Sequence, residues 1–296
     1  MQTKRIINSL LSDAGIRPRK SLGQHFLIDF NLMHILIESA NIQQNDIVLE
    51  VGCGTGSLTE ELAARARFVV AVEIDNTLAA ITRNQLAEEE NVKVINADIL
   101  AKKSAINSDV IQILQSVRKR NGGRILLVAN LPYNAASPLM FNLVAGPVIA
   151  DAMYVTVQKE VAQRIAAAPG NKDYGTLSVL LQAAGEVRII RSLPPSSFWP
   201  RPKVDSVMLS FVRDRQKAAQ IENIQIFTSI LNLFMQHRRK MLKSIVKFTE
   251  AKLNNIQNWT LLFEQTAINP ESRPADINPA KYVELANTCP NFSALK

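Results

Sequence analysis

Residues 47–56 read IVLEVGCGTG, a short apolar run that leads directly into glycines at alternate positions. The run Ile47–Val51 carries one charged residue, Glu50, among apolar and β-branched side chains, which predicts a buried strand. Glycines in the turn after such a strand let a ligand approach the backbone closely, because no Cβ atom stands in the way. The helix that follows offers free N–H groups to an anionic part of the ligand. The segment therefore predicts a ligand-binding turn at the edge of an α/β sheet.

The alternation of strand and helix continues along the chain. Further strands are predicted at residues 68–72, 92–95, 125–129, 153–157 and 206–212, and helices at residues 58–66 and 78–89. This order is typical of a parallel sheet with helices on both faces. The nearly continuous apolar character of the strands fits a sheet that is buried on both sides. We predict an α/β fold of the Rossmann-like class.

The character of the sequence changes after Arg213. Between Ile226 and Val246 the apolar residues follow helical spacing, and no strand pattern appears beyond them. At the other end, the first twenty residues are basic and contain a single acid, Asp13. We therefore divide the chain into an α/β domain with a basic N-terminal arm, residues 1–214, and a small helical domain, residues 215–296.

Composition limits the classes of function. The 296 residues include 34 Lys plus Arg and 26 Asp plus Glu, a formal net charge of +8, which suits a polyanionic partner. Two cysteines, Cys53 and Cys289, are too few for a disulfide framework or a cysteine-based metal cluster. No secretory signal and no apolar run of membrane-spanning length is found. We expect a cytoplasmic protein that uses neither a membrane nor a metal.

The loops after the first three strands indicate the ligand. The glycine spacing is Gly-x-Gly-x-Gly, which differs from the Gly-x-Gly-x-x-Gly of dinucleotide sites and includes Gly52 and Gly54. Glu73 ends the second strand, where an acid can accept hydrogen bonds from both ribose hydroxyls. Asp98 follows the third strand, where an acid can accept from an adenine amino group; either acid can equally be a helix cap. Together the loops fit a ligand with ribose and adenine but no pyrophosphate.

The fourth strand ends in Asn130-Leu131-Pro132-Tyr133, which we call the catalytic tetrapeptide. The simplest interpretation is a turn, since Asn and Pro are common turn residues. A catalytic interpretation follows from the chemistry of aromatic amines, whose lone pair is delocalised and weakly nucleophilic. The Asn130 side-chain oxygen and the Leu131 carbonyl can accept the two N–H bonds, which helps the amine to pyramidalise and stabilises the developing positive charge. Pro132 stiffens the loop, and Tyr133 can stack on the base.

The glycine turn, the two acids and Asn-Leu-Pro-Tyr together resemble the class I S-adenosylmethionine methyltransferases that modify amino groups. Other segments narrow the resemblance to the KsgA/RsmA family, the small-subunit (16S) rRNA dimethyladenosine transferases. These segments are residues 19–27 (RKSLGQHFL), 130–138 (NLPYNAASP), 158–161 (QKEV), 174–179 (YGTLSV), 194–206 (PPSSFWPRPKVDS), 236–240 (QHRRK) and 268–274 (INPESRP). The resemblance covers nearly the whole chain, in order.

The resemblance implies transfer of methyl groups from S-adenosylmethionine to two adjacent adenosines near the 3′ end of 16S rRNA, giving N6-dimethyladenosine. The expected partner is this RNA within a partly assembled small-subunit particle. The implied cofactor residues are His25, Leu27, Gly52, Glu73, Asp98 and Asn130. The resemblance also implies that Phe198 lies near the target base, in keeping with the general use of aromatic side chains on unstacked bases.

Two positions and one segment allow other interpretations. The family usually has Asn at position 25, whereas this chain has His25, which can still donate or accept a hydrogen bond. Trp199 is also unusual, and we interpret it as a packing residue. The proline-rich stretch 194–203 can be a stiff linker between domains. Against a mere linker, Phe198 and Trp199 are costly to leave exposed.

A cluster of cations in the C-terminal part is the candidate RNA contact. It comprises Arg238, Arg239, Lys240, Lys243 and Lys247, and no acid occurs between residues 223 and 249. On a helix around residues 235–247, Arg239, Lys243 and Lys247 would form one stripe. The opposite, apolar stripe would pack on the core and comprises Phe227, Ile230, Leu231, Phe234, Met241 and Ile245. A solvated charged face is the alternative, but the net charge and a polyanionic substrate favour RNA binding.

Three other functions remain as alternatives. A large-subunit rRNA adenine dimethyltransferase of the antibiotic-resistance type shares the core motifs, although Leu-Pro-Tyr-Asn and residues 269–274 favour the small-subunit branch. A nucleic-acid-binding relative without catalytic activity is disfavoured by the intact glycine turn and tetrapeptide. An NAD oxidoreductase would have a different glycine spacing and would leave Asn-Leu-Pro-Tyr unexplained.

Overall fold

The computed structural model describes residues 1–102, 105–249, 253, 256 and 258–289. The α-helices are α1 (Lys4–Asp13), α2 (Phe30–Ala40), α3 (Ser57–Ala63), α4 (Asn76–Gln85), α5 (Ser108–Asn121), α6 (Ala136–Ala145), α7 (Lys159–Ala166), α8 (Thr176–Ala184), α9 (Arg215–Ala219), α10 (Ile224–Gln236), α11 (Leu242–Ile245), α12 (Trp259–Gln265) and α13 (Pro279–Thr288). The strands are β1 (Phe26–Leu27), β2 (Ile47–Val51), β3 (Phe68–Glu73), β4 (Val92–Asn96), β5 (Leu100–Lys102), β6 (Ala105–Ile106), β7 (Ile125–Asn130), β8 (Ala152–Gln158), β9 (Gly185–Leu193), β10 (Phe198–Trp199) and β11 (Ser206–Arg213).

The chain folds into two compact units. The first comprises Met1–Ala162 and Arg188–Val212, and the second comprises Gln163–Val187 and Arg213–Lys296. The division at residue 213 lies where the sequence changes character. The segment Gln163–Val187 was predicted to belong to the α/β domain. It belongs to the helical unit instead, because α8 packs on α10 and α13. The helical unit is therefore built from two separate stretches of chain.

A seven-stranded sheet runs through the first unit in the order β4-β3-β2-β7-β8-β11-β9. β2 pairs in parallel with β3 and β7, and parallel pairing continues outward to β4 and to β8. β11 runs antiparallel to β8, with Val207 opposite Val157. The α/β, Rossmann-like class predicted from the sequence is confirmed.

The predicted strands occur where the sequence places them, and the central ones are covered on both faces. All five residues of β2 are buried. β9 was not predicted, and its position at the edge of the sheet explains why. Its residues include charged and apolar side chains in close succession, and Ile189 is 50% exposed. An edge strand of this kind lacks the continuous apolar run that marks a buried strand.

Two helices fix the strand that leads into the glycine turn. Leu36 and Ile37 of α2 and Leu62 of α3 belong to one buried cluster with Val48 and Val69 of the sheet. α3 begins directly after the last glycine of the turn. Burial of these side chains therefore stabilises both the strand before the turn and the helix after it.

An aromatic cluster around Phe234 of α10 holds the second unit together. The centroid of its ring lies 5.8 Å from that of Trp259, 6.5 Å from that of Phe263 and 6.2 Å from that of Tyr282. The Tyr282 hydroxyl donates a hydrogen bond to the Pro274 carbonyl at 2.8 Å, which satisfies this buried polar group. The helical character predicted for the C-terminal part is confirmed.

The single helix predicted around residues 235–247 is wrong. Residues 237–241 separate α10 from α11 and include a turn. The cause is a contact with a distant segment of the chain. Leu242 N donates to the Ser272 carbonyl at 3.0 Å, and the next N–H group donates to the Pro270 carbonyl at 2.9 Å. These bonds replace the ones that a continuous helix would make.

The structure also bears on the thiols, on membrane-spanning helices and on metal-ligand clusters. Cys53 and Cys289 are buried free thiols. No helix in the described part of the chain is long and apolar enough to cross a membrane. Among the described residues, no group of three or more His, Cys, Asp or Glu side chains is arranged to hold a metal ion.

Candidate active site

A cavity of about 380 Å³ lies beyond the carboxyl ends of the parallel strands, where open α/β sheets bind their ligands. Its walls come from residues 21–27, from residues 50–55 around the glycine turn, and from the loops after β3, β4 and β7. Every predicted cofactor residue lines it: His25, Leu27, Gly52, Gly54, Glu73, Asp98 and Asn130. The fold therefore brings together residues that are about a hundred positions apart in the sequence, such as His25 and Asn130.

The glycine turn is packed between two other segments of the site. Gly52 and Gly54 adopt φ values of 78° and 61°, in the left-handed region that favours glycine. A Cβ atom on Gly52 would lie 3.1 Å from Pro132 Cγ, and one on Gly54 would lie 2.9 Å from Phe26 Cε1. The turn has no room for side chains here, and its bare backbone forms part of the cavity wall.

Backbone donors orient the two acids of the cavity. Glu73 is 5% exposed; its Oε2 accepts from Gly54 N at 3.0 Å and its Oε1 from Asp75 N at 2.9 Å. Burial raises the pKa of the Glu73 carboxyl, and these donors oppose the shift. Asp98 is exposed, and its Oδ1 accepts from Leu100 N at 2.9 Å. Each carboxyl keeps further lone pairs for a ligand.

Residues 21–27 line the cavity, and contacts on both sides hold this segment in place. Asp75 Oδ2 accepts a hydrogen bond from Gln24 Nε2 at 3.2 Å and pairs with Arg19 Nη1 at 3.4 Å. At the far end, Asn130 Nδ2 donates to the His25 carbonyl at 2.7 Å. These contacts hold the wall against the end of β3 and the end of β7.

The ring of His25 is also held in place. Its Nδ1 atom lies 2.6 Å from the Pro200 carbonyl oxygen. A carbonyl oxygen only accepts, so Nδ1 donates a proton in this contact. The ring centroid lies 5.7 Å from that of Tyr133. The side chain is thus ordered between the cavity and the aromatic residue of the tetrapeptide.

The catalytic tetrapeptide is joined to the neighbouring strand β8. Leu131 N donates to the Thr156 carbonyl at 3.2 Å, and the Thr156 hydroxyl donates to Asn130 Oδ1. The Tyr133 hydroxyl lies 3.4 Å from Ser206 Oγ. Asn130 lines the cavity together with the proline that follows Leu131. The loop is therefore stiff, and its amide group stands at the cavity wall.

Comparison with known proteins identifies the family. The sequence model of the ribosomal RNA adenine dimethylase family matches residues 15–289. The chain belongs to this family. It is 34% identical to the ribosomal RNA small subunit methyltransferase A of Staphylococcus haemolyticus, over 97% of this chain and 95% of the relative. It is 33% identical to the protein of the same name from Clostridium botulinum, over 97% and 98%.

Two solved structures share the fold of this chain. A dimethyladenosine transferase from Plasmodium falciparum has a TM-score of 0.68 at 25% identity, over 87% of this chain and 94% of its own. The 23S rRNA methyltransferase ErmE has a TM-score of 0.60 at 23% identity, over 89% and 99%, and shows the shared fold alone. The family resemblance that the sequence motifs carry is confirmed.

The structure places two aromatic residues of the proline-rich stretch in packing positions. Phe198 is 2% exposed, belongs to the core cluster of the sheet and pairs with Leu27 between β1 and β10. This position differs from the expected one beside a target base, because a buried ring cannot stack on RNA without moving. Trp199 stacks against Phe26 with centroids 6.1 Å apart, as the packing interpretation expects.

Glu50 also lines the cavity and is not among the predicted site residues. It is 2% exposed, and its Oε2 atom has no hydrogen-bond partner in the described part of the chain. Burial, together with the nearby charge of Glu73, raises the pKa of the carboxyl to about 8. The signal in the sequence was a single acid inside an otherwise apolar strand. A cation bound in the cavity would favour the ionised form of this carboxyl.

The predicted cationic stripe does not form. Because the helix is interrupted, Arg239 lies in a turn, Lys243 in α11 and Lys247 in the 3-10 turn that follows. Met241, predicted on the apolar stripe, is 42% exposed. The other members of that stripe are fully buried: Phe227, Ile230, Leu231, Phe234 and Ile245.

Two of the cations are engaged within the second unit. Arg238 donates a hydrogen bond to the Lys172 carbonyl. Lys243 Nζ lies 2.6 Å from Glu271 Oε1, and this contact lowers the pKa of the Glu271 carboxyl. The sequence contains no acid near Lys243, but the fold brings one from a distant position. An exposed pair of this kind contributes little to stability and competes with phosphate for the lysine.

The other three cations are more open. Lys240 Nζ lies 4.3 Å from the centroid of the Phe248 ring, in a cation–π contact. Arg239 and Lys247 are exposed. These side chains can reach a phosphate backbone without first losing an ion pair to Glu271.

Proposed function

We propose that the protein transfers methyl groups from S-adenosylmethionine to the N6 amino groups of two adjacent adenosines near the 3′ end of 16S rRNA. The product is N6-dimethyladenosine, and the substrate is a partly assembled small-subunit particle in the cytoplasm. One observation carries the proposal: Asn130 and Pro132 of the tetrapeptide line the same cavity as Gly52, Glu73 and Asp98. A cofactor bound by the latter three would present its reactive end to the tetrapeptide.

The residues of the cavity fit S-adenosylmethionine. The bare backbone at Gly52 and Gly54 lines the cavity, and Pro132 and Phe26 leave no room there for a Cβ atom. Glu73 would hold the ribose hydroxyls and Asp98 the adenine amino group. Glu50 lines the same cavity, and the positive charge of the bound cofactor would favour the ionised form of its buried carboxyl. When bound, S-adenosylmethionine supplies a methyl group on a positively charged sulfur, which makes the methyl carbon electrophilic.

The tetrapeptide would activate the target amine. Asn130 Oδ1 and the Leu131 carbonyl oxygen accept its two N–H bonds, which localises the nitrogen lone pair and stabilises the positive charge that develops there. Tyr133 holds the base by stacking and fixes the angle of attack. No side chain has to act as a base, because the methylated ammonium is acidic and gives its proton to water.

The small-subunit substrate is favoured over the large-subunit one by the relatives with the higher identity. Those at 33–34% identity carry the name small subunit methyltransferase A. The large-subunit enzyme ErmE is 23% identical and shares the fold alone. We therefore assign this chain the small-subunit reaction.

We extend the proposal to the helical domain that the sequence predicts at residues 215–296, which we assign as the RNA-binding part. Arg238, Arg239, Lys240, Lys243 and Lys247 are the candidate phosphate contacts. The net charge of +8 supports a polyanionic partner. Arg239 and Lys247, which are exposed, would contribute most, and Lys243 less because of its ion pair with Glu271.

A radiolabelled transfer assay tests the proposed function. Small-subunit particles that lack the modification, large-subunit RNA and RNA-free buffer are each incubated with labelled S-adenosylmethionine and the wild-type protein. We expect label only with the small-subunit particles. Asn130→Ala should remove transfer, whereas the control Asn232→Ala, at an exposed position of α10, should not. Label on large-subunit RNA alone, or on neither RNA, would contradict the assignment.

A further inference from the structure

Thr156 makes two contacts with the tetrapeptide that the proposed reaction does not yet use. It lies on β8 directly beside Asn130 of β7, and it is 1% exposed. Its hydroxyl donates a hydrogen bond to Asn130 Oδ1, and its carbonyl oxygen accepts one from Leu131 N at 3.2 Å. One buried residue thus contacts both residues whose oxygen atoms are assigned to the target amine.

Two neighbours hold the Asn130 amide, one at each end. The two ends of an asparagine amide have nearly the same shape but opposite hydrogen-bonding roles. The Thr156 hydroxyl gives its only proton to Oδ1, and Nδ2 donates to the His25 carbonyl at 2.7 Å. In a flipped amide, Oδ1 would face the His25 carbonyl oxygen, which only accepts, although the Thr156 hydroxyl could still accept a bond from Nδ2. The flipped amide would also present N–H groups to the target amine, which itself carries N–H groups.

We propose that Thr156 is a positioning residue, which holds the Asn130 amide and the Leu131 backbone in the orientation that accepts the target amine. This inference rests on the proposed function. An amide oxygen has two lone pairs, so Oδ1 bound to Thr156 can still accept one N–H bond of the substrate. The hydroxyl acts on the geometry of Asn130 and does not touch the substrate or the cofactor.

A hydroxyl deletion with a conservative rescue tests the role. Thr156→Val keeps the shape but removes the donor, and Thr156→Ser keeps the donor. We expect Thr156→Val to lower the single-turnover rate about tenfold, the effect of one net hydrogen bond, because only the bond to His25 then orients the amide. The Kd for S-adenosylmethionine and for small-subunit particles should stay within about twofold. Thr156→Ser should restore most of the rate.

Thr266→Val is the matched control. Thr266 is equally buried, and its hydroxyl donates to the Leu262 carbonyl within the second unit, so we expect its loss to leave the rate unchanged. A wild-type rate in Thr156→Val, a Thr156→Ser variant as slow as Thr156→Val, or a parallel loss of cofactor affinity would each overturn the inference. If the wild-type protein itself transfers no methyl group to small-subunit adenosine, the proposed function fails instead.

Discussion

Pro132 of the tetrapeptide packs against Gly52 of the glycine turn, so that a Cβ atom on Gly52 would lie 3.1 Å from Pro132 Cγ. Phe26 makes the corresponding contact with Gly54. Three segments that are distant in the sequence therefore meet around one turn. A side chain added to the turn should disturb the cofactor site and the neighbouring segments together.

Gly54→Ala should weaken cofactor binding about tenfold or more, because its Cβ atom would lie 2.9 Å from Phe26 Cε1 and φ is 61°. The free energy of unfolding should fall by about 1–3 kcal/mol. Gly15→Ala is the control, since φ there is 67° but no heavy atom lies within 4 Å of the added Cβ atom. Thermal unfolding gives the stability of both variants. Titration calorimetry should show a loss of cofactor affinity in Gly54→Ala only. Equal behaviour of the two variants would mean that the turn does not hold the cofactor.

Substitution of the two acids should weaken cofactor binding, whereas substitution of the tyrosine should lower the turnover rate. Glu73→Ala and Asp98→Ala should each weaken S-adenosylmethionine binding by about 1–3 kcal/mol, the cost of an orphaned polar contact. Tyr133→Ala should mostly spare cofactor affinity and lower the methylation rate, because the proposed role of Tyr133 is to stack on the base. Calorimetric titration beside the rate of each variant provides the comparison. An equal loss of affinity and rate in Tyr133→Ala would count against the stacking role.

Glu50 should make the cofactor-free protein less stable as the pH rises. Its pKa is raised from 4.5 in the unfolded chain to about 8 in the fold. Between these values the folded protein holds a proton that the unfolded chain has released, so stability is full below pH 4.5 and falls towards pH 8. The slope from this group is at most about 1.4 kcal/mol per pH unit. Denaturant unfolding across this range should show a smaller slope in Glu50→Gln, and an unchanged slope would exclude a buried protonated Glu50.

Exposed cations of the second unit should set the salt dependence of RNA binding. Arg239→Ala and Lys247→Ala should each reduce the slope of log affinity against log salt by about one, with cofactor affinity unchanged. Lys243→Ala should have a smaller effect, because Glu271 already pairs with the lysine. Lys119→Ala, the same charge change on α5 of the first unit, is the control. Wild-type slopes in the first two variants would show that the RNA docks elsewhere, such as the basic N-terminal arm.

The sequence predicts the parts of this molecule that depend on local pattern. β2 and β7 are recognisable because nearly all their residues are buried, and the glycine turn and the two acids follow from strand ends that meet at one sheet edge. All predicted cofactor residues therefore line one cavity. Their roles as cofactor ligands remain predictions until binding is measured.

The parts that escaped prediction depend on contacts between distant segments. The helix around residues 235–247 is interrupted because the carbonyl of Ser272 binds the N–H of Leu242. Phe198 is buried because it pairs with a strand from the N-terminal part, and a proline-rich stretch alone does not reveal that partner. Thr156 lies in a largely apolar strand, and only the pairing register of that strand shows that it lies beside Asn130.

Mass spectrometry of nuclease-digested RNA tests the central claim most directly. Small-subunit particles lacking the modification are incubated with S-adenosylmethionine and the wild-type protein or Asn130→Ala, and the modified nucleosides are mapped. The account predicts N6-dimethyladenosine at two adjacent positions near the 3′ end with the wild-type protein, and unmodified adenosine at both positions with Asn130→Ala. Methylation of cytosine or of a ribose hydroxyl instead, or dimethyladenosine formed equally well by Asn130→Ala, would contradict it.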